Sequence, residues 1–271
     1  MANYLLKELA PPIISSLRWY SFRYGWKGSF KSFEEAEAKC EGYDQDHILN
    51  RIIETTLKVK NGEIPYERDG IPYDQVQMNF PLLKTLLYLA SLNNNELTVI
   101  DFGGSLGTTY YQNINYLKHL KKLRWCIIEQ PKFVAAGKKQ FENEHVRFYH
   151  SIEECMKEND PQLLLICNVL QYLSKPYQLL EEIKQTKIPY LLLDFMHYND
   201  KNEDRVTIQH VPPVFYGIPA SYPCRFFSRI KIENILRENY DKQYDFISAQ
   251  EKYYIQLKPF RYEGALWEMR K

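Results

Sequence analysis

The sequence predicts an α/β protein: a doubly wound, mostly parallel sheet preceded by a helical N-terminal extension. Three observations predict it. Strand and helix signals alternate from residue 97 onward, the pattern of βαβ units. Residues 1–95 carry helical spacing instead. Where the two meet, residues 97–110 read LTVIDFGGSLGTTY, a short β-branched apolar run, a glycine turn and a helix start.

The elements follow in order. Tyr4, Leu5, Leu6 and Leu9 suggest a short helix stopped by Pro11-Pro12. Residues 17–27 interleave aromatics with cations, among them Arg18, Trp19, Tyr20, Trp26 and Lys27. This arm is expected to pack its rings on the domain, with peripheral contact to a membrane surface or a glycan as the alternative. Ser32 and Glu35 form a capping box that opens a helix, which Gly42-Tyr43-Asp44 breaks. Residues 46–59 are helical by the spacing of Ile48, Leu49, Ile52, Ile53 and Leu57. Asn61-Gly62, Pro65 and Pro72 make a loop, and Pro81 starts a helix over 80–92. Strands are expected at 97–102, 124–129, 146–149, 162–167 and 189–194. Helices are expected at 108–121, 132–143, 151–158 and 176–186. Residues 198–227 contain Pro212, Pro213, Pro219 and Pro223 with little periodicity, so they are expected to form a structureless lid. Ser228 caps a helix to Glu238, and 244–249 with 264–270 form a closing hairpin. The chain thus divides into a helical cap, 1–95, and an α/β domain, 96–271, into which the lid is inserted.

Composition narrows the function classes. The net charge is +1, which gives no support for a nucleic-acid groove. Aromatic residues reach 15%, with 22 Tyr; that suits ring-bearing substrates, and equally a Tyr-rich core and surface. The five cysteines are scattered without a CxxC pair, as expected of reduced thiols in a cytoplasmic protein. No metal-ligand spacing is present. No apolar run approaches the length of a membrane span, and no secretory h-region appears.

The chemistry centres on Asp101-Phe102-Gly103-Gly104-Ser105-Leu106-Gly107. Strand, glycine turn and helix bring backbone N–H groups to a nucleotide-like ligand at a helix N-terminus, although the same turn also occurs in α/β domains without one. A GxGxxG fingerprint from Gly103 would need glycines where Ser105 and Thr108 stand, and no P-loop Gly-Lys-Ser/Thr follows. A nicotinamide oxidoreductase is disfavoured on that ground. Glu129 ends the second strand, where an acid accepts hydrogen bonds from ribose hydroxyls.

The acid followed by G-x-S-x-G resembles the first motif of class I S-adenosylmethionine (SAM) methyltransferases, with Ser105 in the middle glycine slot. Residues 163–173, LLLICNVLQYL, resemble that group's segment after the fourth strand, which borders the transferable methyl. Across nearly the whole chain, W-K-G-S-F-x-S-F-E-E-A from Trp26, Gly42-Tyr43-Asp44, Gln171-Tyr172-Leu173, Gln209-His210-Val211-Pro212-Pro213 and Ser221-Tyr222-Pro223-Cys224 are similar to one family. It is a family of class I methyltransferases encoded among bacterial surface-polysaccharide genes. The resemblance implies a seven-stranded Rossmann-like sheet, SAM as cofactor and a sugar or polysaccharide acceptor. It places the cofactor on Asp101, Gly103, Gly104, Ser105, Gly107, Glu129, Gln130, Ser151, Asn168, Val169 and Leu170. The family's Asp-Arg after the fifth strand is Asp194-Phe195 here, a departure that removes a basic contact. A histidine base with a pKa near neutral suits O-methylation, so His197 and His210 are the candidates, with Tyr43, Asp44, Tyr198 and Tyr222 toward the acceptor. The alternative is a catalytically inactive, methyltransferase-like binding or scaffold protein. Acceptor, methylated atom and oligomeric state stay open.

Overall fold

The computed structural model describes residues 24–40, 45–199, 201–213, 217–249, 252–255 and 258–271. The arm before residue 24, together with Tyr43 and Asp44, lies outside them. The N-terminal part holds β1 (Gly25–Phe30), α1 (Phe33–Glu37), α2 (Gln45–Lys60), β2 (Tyr66–Arg68), β3 (Ile71–Tyr73) and α3 (Phe80–Leu92). It is therefore less helical than its spacing predicts. Ser32 opens α1 by accepting the Glu35 N–H at 3.1 Å, while the Glu35 carboxylate takes the Lys31 N–H at 2.9 Å. Asn79 caps α3 by accepting from Leu82 N at 3.1 Å. Between β2 and β3, Asp69 and Gly70 have φ of 53° and 75°. Two successive left-handed residues make a type I′ turn, which closes an antiparallel hairpin where only a loop is expected.

From residue 96 the alternation predicted by the sequence is present: β4 (Glu96–Phe102), α4 (Thr108–Leu117), β5 (Lys122–Ile128), α5 (Pro131–Gln140), β6 (Val146–Tyr149), α6 (Ile152–Met156), β7 (Leu163–Cys167), α7 (Pro176–Thr186) and β8 (Tyr190–Met196). The chain continues through β9 (Tyr198–Asn199), β10 (Arg205–Val211), β11 (Ala220–Ser228), α8 (Arg229–Leu236), β12 (Tyr240–Ile247), β13 (Tyr253–Ile255), β14 (Lys258–Phe260) and β15 (Glu263–Met269). A seven-stranded sheet runs β12-β15-β8-β7-β4-β5-β6. β15 is antiparallel to both neighbours, and the pairs from β8 to β6 are parallel. This is a Rossmann-like, mostly parallel sheet.

Both faces of the sheet are covered, which is why its central strands β4, β7 and β8 are largely apolar. Leu97, Val99 and Ile127 pack with Ile52 of α2, Leu86 of α3 and Leu117 of α4. Ile100, Leu164 and Leu193 pack on the other face with Leu180 and Ile183 of α7 and Ile232 of α8.

The expected lid at 198–227 is instead ordered strand over most of its described length. β1, β10, β11 and β9 form a four-stranded sheet, with β1 antiparallel to β10 and β10 antiparallel to β11. The prolines hide an alternation that sets Val206 and Ile208 on one face with Ala36, and Cys224 and Phe226 on the other with Trp26. Pro223 is tolerated because β9 reaches only Phe227 and Ser228 on the outer side of β11. β1 thereby joins residues from both sides of the boundary expected at 95.

This second sheet buries an aromatic cluster. Trp26 is 7% exposed and meets Phe260 at 5.0 Å, His197 at 5.3 Å and Phe226 at 6.1 Å between ring centroids, all edge-on. Trp26→Ala is expected to remove about 3–5 kcal/mol of stability, measured as a shift of the urea midpoint at constant m-value.

Candidate active site

β4 leaves the sheet through Gly103, Gly104 and Ser105, and each has a reason to be what it is. Gly103 has φ of 72°, and a Cβ there would lie 2.5 Å from Val169 Cγ2. A Cβ on Gly104 would lie 2.6 Å from the Asp101 carboxylate. Ser105 is left-handed with φ of 55°, a conformation that costs a non-glycine residue about 1–2 kcal/mol. α4 then starts from Gly107 with no side chain capping it, which leaves its first turn without a side-chain acceptor, the condition for an anion- or dipole-binding end.

Two carboxylates hold the turn from beneath and beside. Asp101 is 1% exposed, and its Oδ2 accepts from Trp125 Nε1 at 3.0 Å. Burial pushes its carboxyl up to about 7, opposed by the indole N–H, with the charge of Glu129 adding to the rise. Glu129 accepts from Ser105 N at 3.1 Å and from Gln130 N at 2.8 Å. Burial raises its pKa as well, against the lowering effect of those two N–H groups.

Above the turn lies a cleft of about 150 Å³. The β2–β3 hairpin supplies one wall with Tyr66, Arg68 and Asp69; Asn168, Val169 and Phe195 supply the other, and Asn79 and Leu82 close the end. The hairpin is pinned from below. Glu67, 1% exposed, accepts from Gly70 N at 3.0 Å and from Thr108 Oγ1 at the start of α4. Opposite, fully buried Asp194 accepts from Asn79 Nδ2 at 2.6 Å and from Phe195 N at 2.8 Å. Asn168 and Phe195 have φ of 58° and 52°. With Ser105, three non-glycine residues in left-handed conformation stand just past or at the carboxyl ends of β4, β7 and β8, the kind of strain that collects at functional sites.

The structure brings Asp101, Gly103, Gly104, Ser105, Asn168 and Val169 to one cleft, with Gly107 opening the helix behind it. Gln130 is the exposed N-cap residue of α5. Ser151 is not on the cleft; it caps α6, accepting from Glu154 N at 3.0 Å. Leu170 is buried in the core.

The histidine assignments do not fit this geometry. His197 is fully buried, stacked on Phe226 at 4.9 Å, with Nδ1 3.2 Å from Cys224 Sγ and no partner for Nε2 among the described residues. Burial holds its pKa down to about 3, so the ring is neutral and shielded from the cleft. His210 lies in β10 opposite Gly25 and Ser221 and is not among the residues lining the cleft. Tyr198 packs under Arg229, 4.3 Å from ring centroid to guanidinium, and Tyr222 meets Tyr172 edge-on at 5.3 Å; neither lines the cleft.

Sequence reasoning missed Arg68, Asp69 and Asn79. Two signals point to them: Asp69-Gly70 between Tyr66-Glu67-Arg68 and Ile71-Pro72-Tyr73, and an Asn cap before Phe80-Pro81. A larger surface hollow of about 330 Å³ lies between α1 and β10. Its inner charges are already engaged: Asp204 accepts from Tyr177 Oη and Ser228 N and faces Arg225 at 3.5 Å. No group of His, Cys, Asp and Glu among the described residues is arranged to hold a metal ion. No described helix is long and apolar enough to cross a membrane.

No protein-family profile matches the chain, and no curated relative matches it. Among solved structures it is similar to an S-adenosylmethionine-dependent methyltransferase from Clostridium acetobutylicum, at 10% identity over 71% of this chain and 93% of that one, TM-score 0.46. It is similar to magnesium protoporphyrin IX methyltransferase from Synechocystis with bound SAM, at 11% identity over 84% and 99%, TM-score 0.43. The N-terminal domain of EvdMO1, solved in the presence of S-adenosylhomocysteine (SAH) and D-fucose, matches at 13% identity over 84% and 98%, TM-score 0.47. The likeness is one of fold, and the fold assignment stands on the strand order.

Two outcomes test this geometry. Gly104→Ala forces a methyl group onto the Asp101 carboxylate and is expected to lower stability by about 1–3 kcal/mol in chemical denaturation. For His197, the unfolded chain takes up a proton below pH ~6.5 that the folded ring refuses until about 3. Its contribution to stability is therefore present above that window and lost as pH falls through it. His197→Phe is expected to flatten the fall in stability between pH 7 and 4.5, read from denaturation midpoints at both values.

Proposed function

We propose that this protein transfers a methyl group from SAM to a hydroxyl of a small-molecule acceptor, a sugar or surface-polysaccharide intermediate. The observation that carries the reading is the meeting, at the carboxyl ends of the adjacent strands β4 and β5, of a left-handed glycine turn, an uncapped helix start and two carboxylates: Asp101, which lines the cleft, and Glu129, which does not line it but braces Ser105 N beside it. Ligands of open α/β sheets bind outside the carboxyl ends of the strands, where this cleft lies.

The residues fit the cofactor. Asp101 lies beside the place for the methionine ammonium, and the backbone of the turn approaches closely because Gly104 lacks a Cβ. Glu129 stands toward the ribose hydroxyls. The cleft volume of about 150 Å³ is half the lower end, ~300 Å³, of small-molecule pockets, so cofactor and acceptor both extend beyond it, the adenosine along Glu129 and the acceptor past the hairpin. When bound, the cofactor supplies a sulfonium methyl for in-line displacement. The chain aligns the acceptor against it and keeps out water through the hairpin. Of the aspartates lining the cleft, Asp101 is buried and Asp69 is exposed, so Asp69 is the group that accepts the hydroxyl proton.

Titration calorimetry with SAH and SAM tests the cofactor. Binding is expected, with SAH displacing SAM; no heat from either overturns the reading. Because the Asp101 carboxyl sits at about 7, a cation bound beside it drives off a proton. Proton release measured across buffers is expected to be larger at pH 6.5 than at pH 8.5. With labelled SAM and a panel of sugars and glycan intermediates, Asp69→Asn is expected to lower turnover ~10²-fold or more while SAH affinity is kept.

A further inference from the structure

The position after Asp194 carries phenylalanine where the sequence resemblance implies a basic residue. In space a cation stands there nonetheless. Arg68, carried on β2, lies over the Phe195 ring with its guanidinium carbon 5.5 Å from the centroid, and 5.8 Å from that of Tyr66. Its Nε donates to Tyr66 Oη at 3.2 Å, and Tyr66 is itself 2% exposed. The plane of the guanidinium is thereby set by a buried partner and a ring face, so little rotamer freedom is lost when it binds a ligand.

Arg68 lines the cleft, and its charge is not matched by an ion pair within 4.0 Å among the described residues. The acids around it are accounted for. Asp194 is buried and bonded to Asn79 and Phe195, and Asp101 lies beneath the turn, bonded to Trp125. Glu67 precedes Arg68 on the strand and points the other way, into Thr108 and Gly70, as strand alternation requires. Asp69 is the next residue along, on the turn, and makes no ion pair with Arg68.

A guanidinium with Nε committed presents its Nη groups to a planar or tetrahedral oxyanion. Its place in the sheet says which ligand brings one. The glycine turn follows β4, whereas Phe195 ends β8, two strands away in the order β4-β7-β8, about 10 Å at ordinary strand spacing. That is the acceptor's side of the cleft. We infer that Arg68 binds a carboxylate or phosphate group of the methyl acceptor, so that the acceptor class is acidic: a uronate or a sugar phosphate rather than a neutral sugar. This rests on the methyl-transfer reading above.

The test uses the full chain with D-galactose, D-galacturonate and galactose 6-phosphate as probes in ligand-observed NMR, with SAH present and absent. Calorimetry with SAH and with its decarboxylated counterpart runs in parallel. At least one acidic sugar is expected to bind ~10-fold or more tightly than galactose. Arg68→Gln is expected to erase that preference while changing the affinity for SAH less than ~3-fold, and Arg68→Lys to keep part of it. Circular dichroism melts of both variants check that the hairpin still packs; if Arg68→Gln fails to fold, Arg68→Lys carries the comparison. Equal binding of acidic and neutral sugars by the wild-type chain overturns the inference. So does a variant that weakens SAH ~10-fold and leaves the decarboxylated analogue unaffected, which gives Arg68 to the cofactor carboxylate. Absence of SAH binding by the wild-type chain instead sinks the methyl-transfer reading, and the sugar arms without SAH still report on Arg68.

Discussion

The site depends on how closely the backbone at Gly104 approaches the carboxylate of Asp101. No side chain fits between them, and the Trp125 indole holds the acid from the other side. A carboxyl group with 1% exposure is an expensive thing to bury. Here it is the platform over which the main chain bends into α4. The left-handed Ser105 and the bracing of its N–H by Glu129 follow from that bend. β4 and β5 therefore act as a unit, joined at their carboxyl ends by a carboxylate on each and a turn that uses both.

The second requirement is a cover, and it comes from the N-terminal part of the chain through buried polar contacts. Glu67 ties the β2–β3 hairpin to the start of α4, and Asn79 ties the start of α3 to Asp194 at the end of β8. Each of these side chains is 6% exposed or less, so each bond is made in a medium where leaving it unmade is costly. The aromatic cluster behind them, with Trp26 at its centre, packs against Phe195 near the end of β8 and accounts for the burial of His197.

How much of this was legible in the sequence follows from the range of the interactions. The glycine turn is a contiguous motif between an apolar run and a helix start, and the chain reads it locally. The bounds expected for β6 and α7 coincide with those observed, 146–149 and 176–186, because the strand is a run of Val, Phe and Tyr around one Arg between polar residues and the helix is opened by a proline. β1 is different. Residues 25–30 contain two glycines and become strand only by pairing with β10, some 180 residues on, as Trp26 opposite Gln209 shows. The prolines of 198–227 mask a two-residue period that the partner strand enforces. His197 looks like a base because it follows a strand end; only the packing of Phe226 and Tyr262 around it reveals a core residue. The cleft floor was readable, with Asn168 and Val169 beside it, and the hairpin wall was not, because Arg68 and Phe195 meet only in three dimensions.

The type I′ bend at Asp69-Gly70 has an evolutionary corollary. It lets a ribbon of three residues a side present its polar tip without any change to the strands that hold the cofactor motif. Exchange of side chains along that ribbon changes the lining of the cleft while the sheet, its register and its buried acids stay as they are. Drift in preference among descendants of such a chain would then be concentrated in a few codons around residue 68, far in sequence from the motif by which they would be grouped.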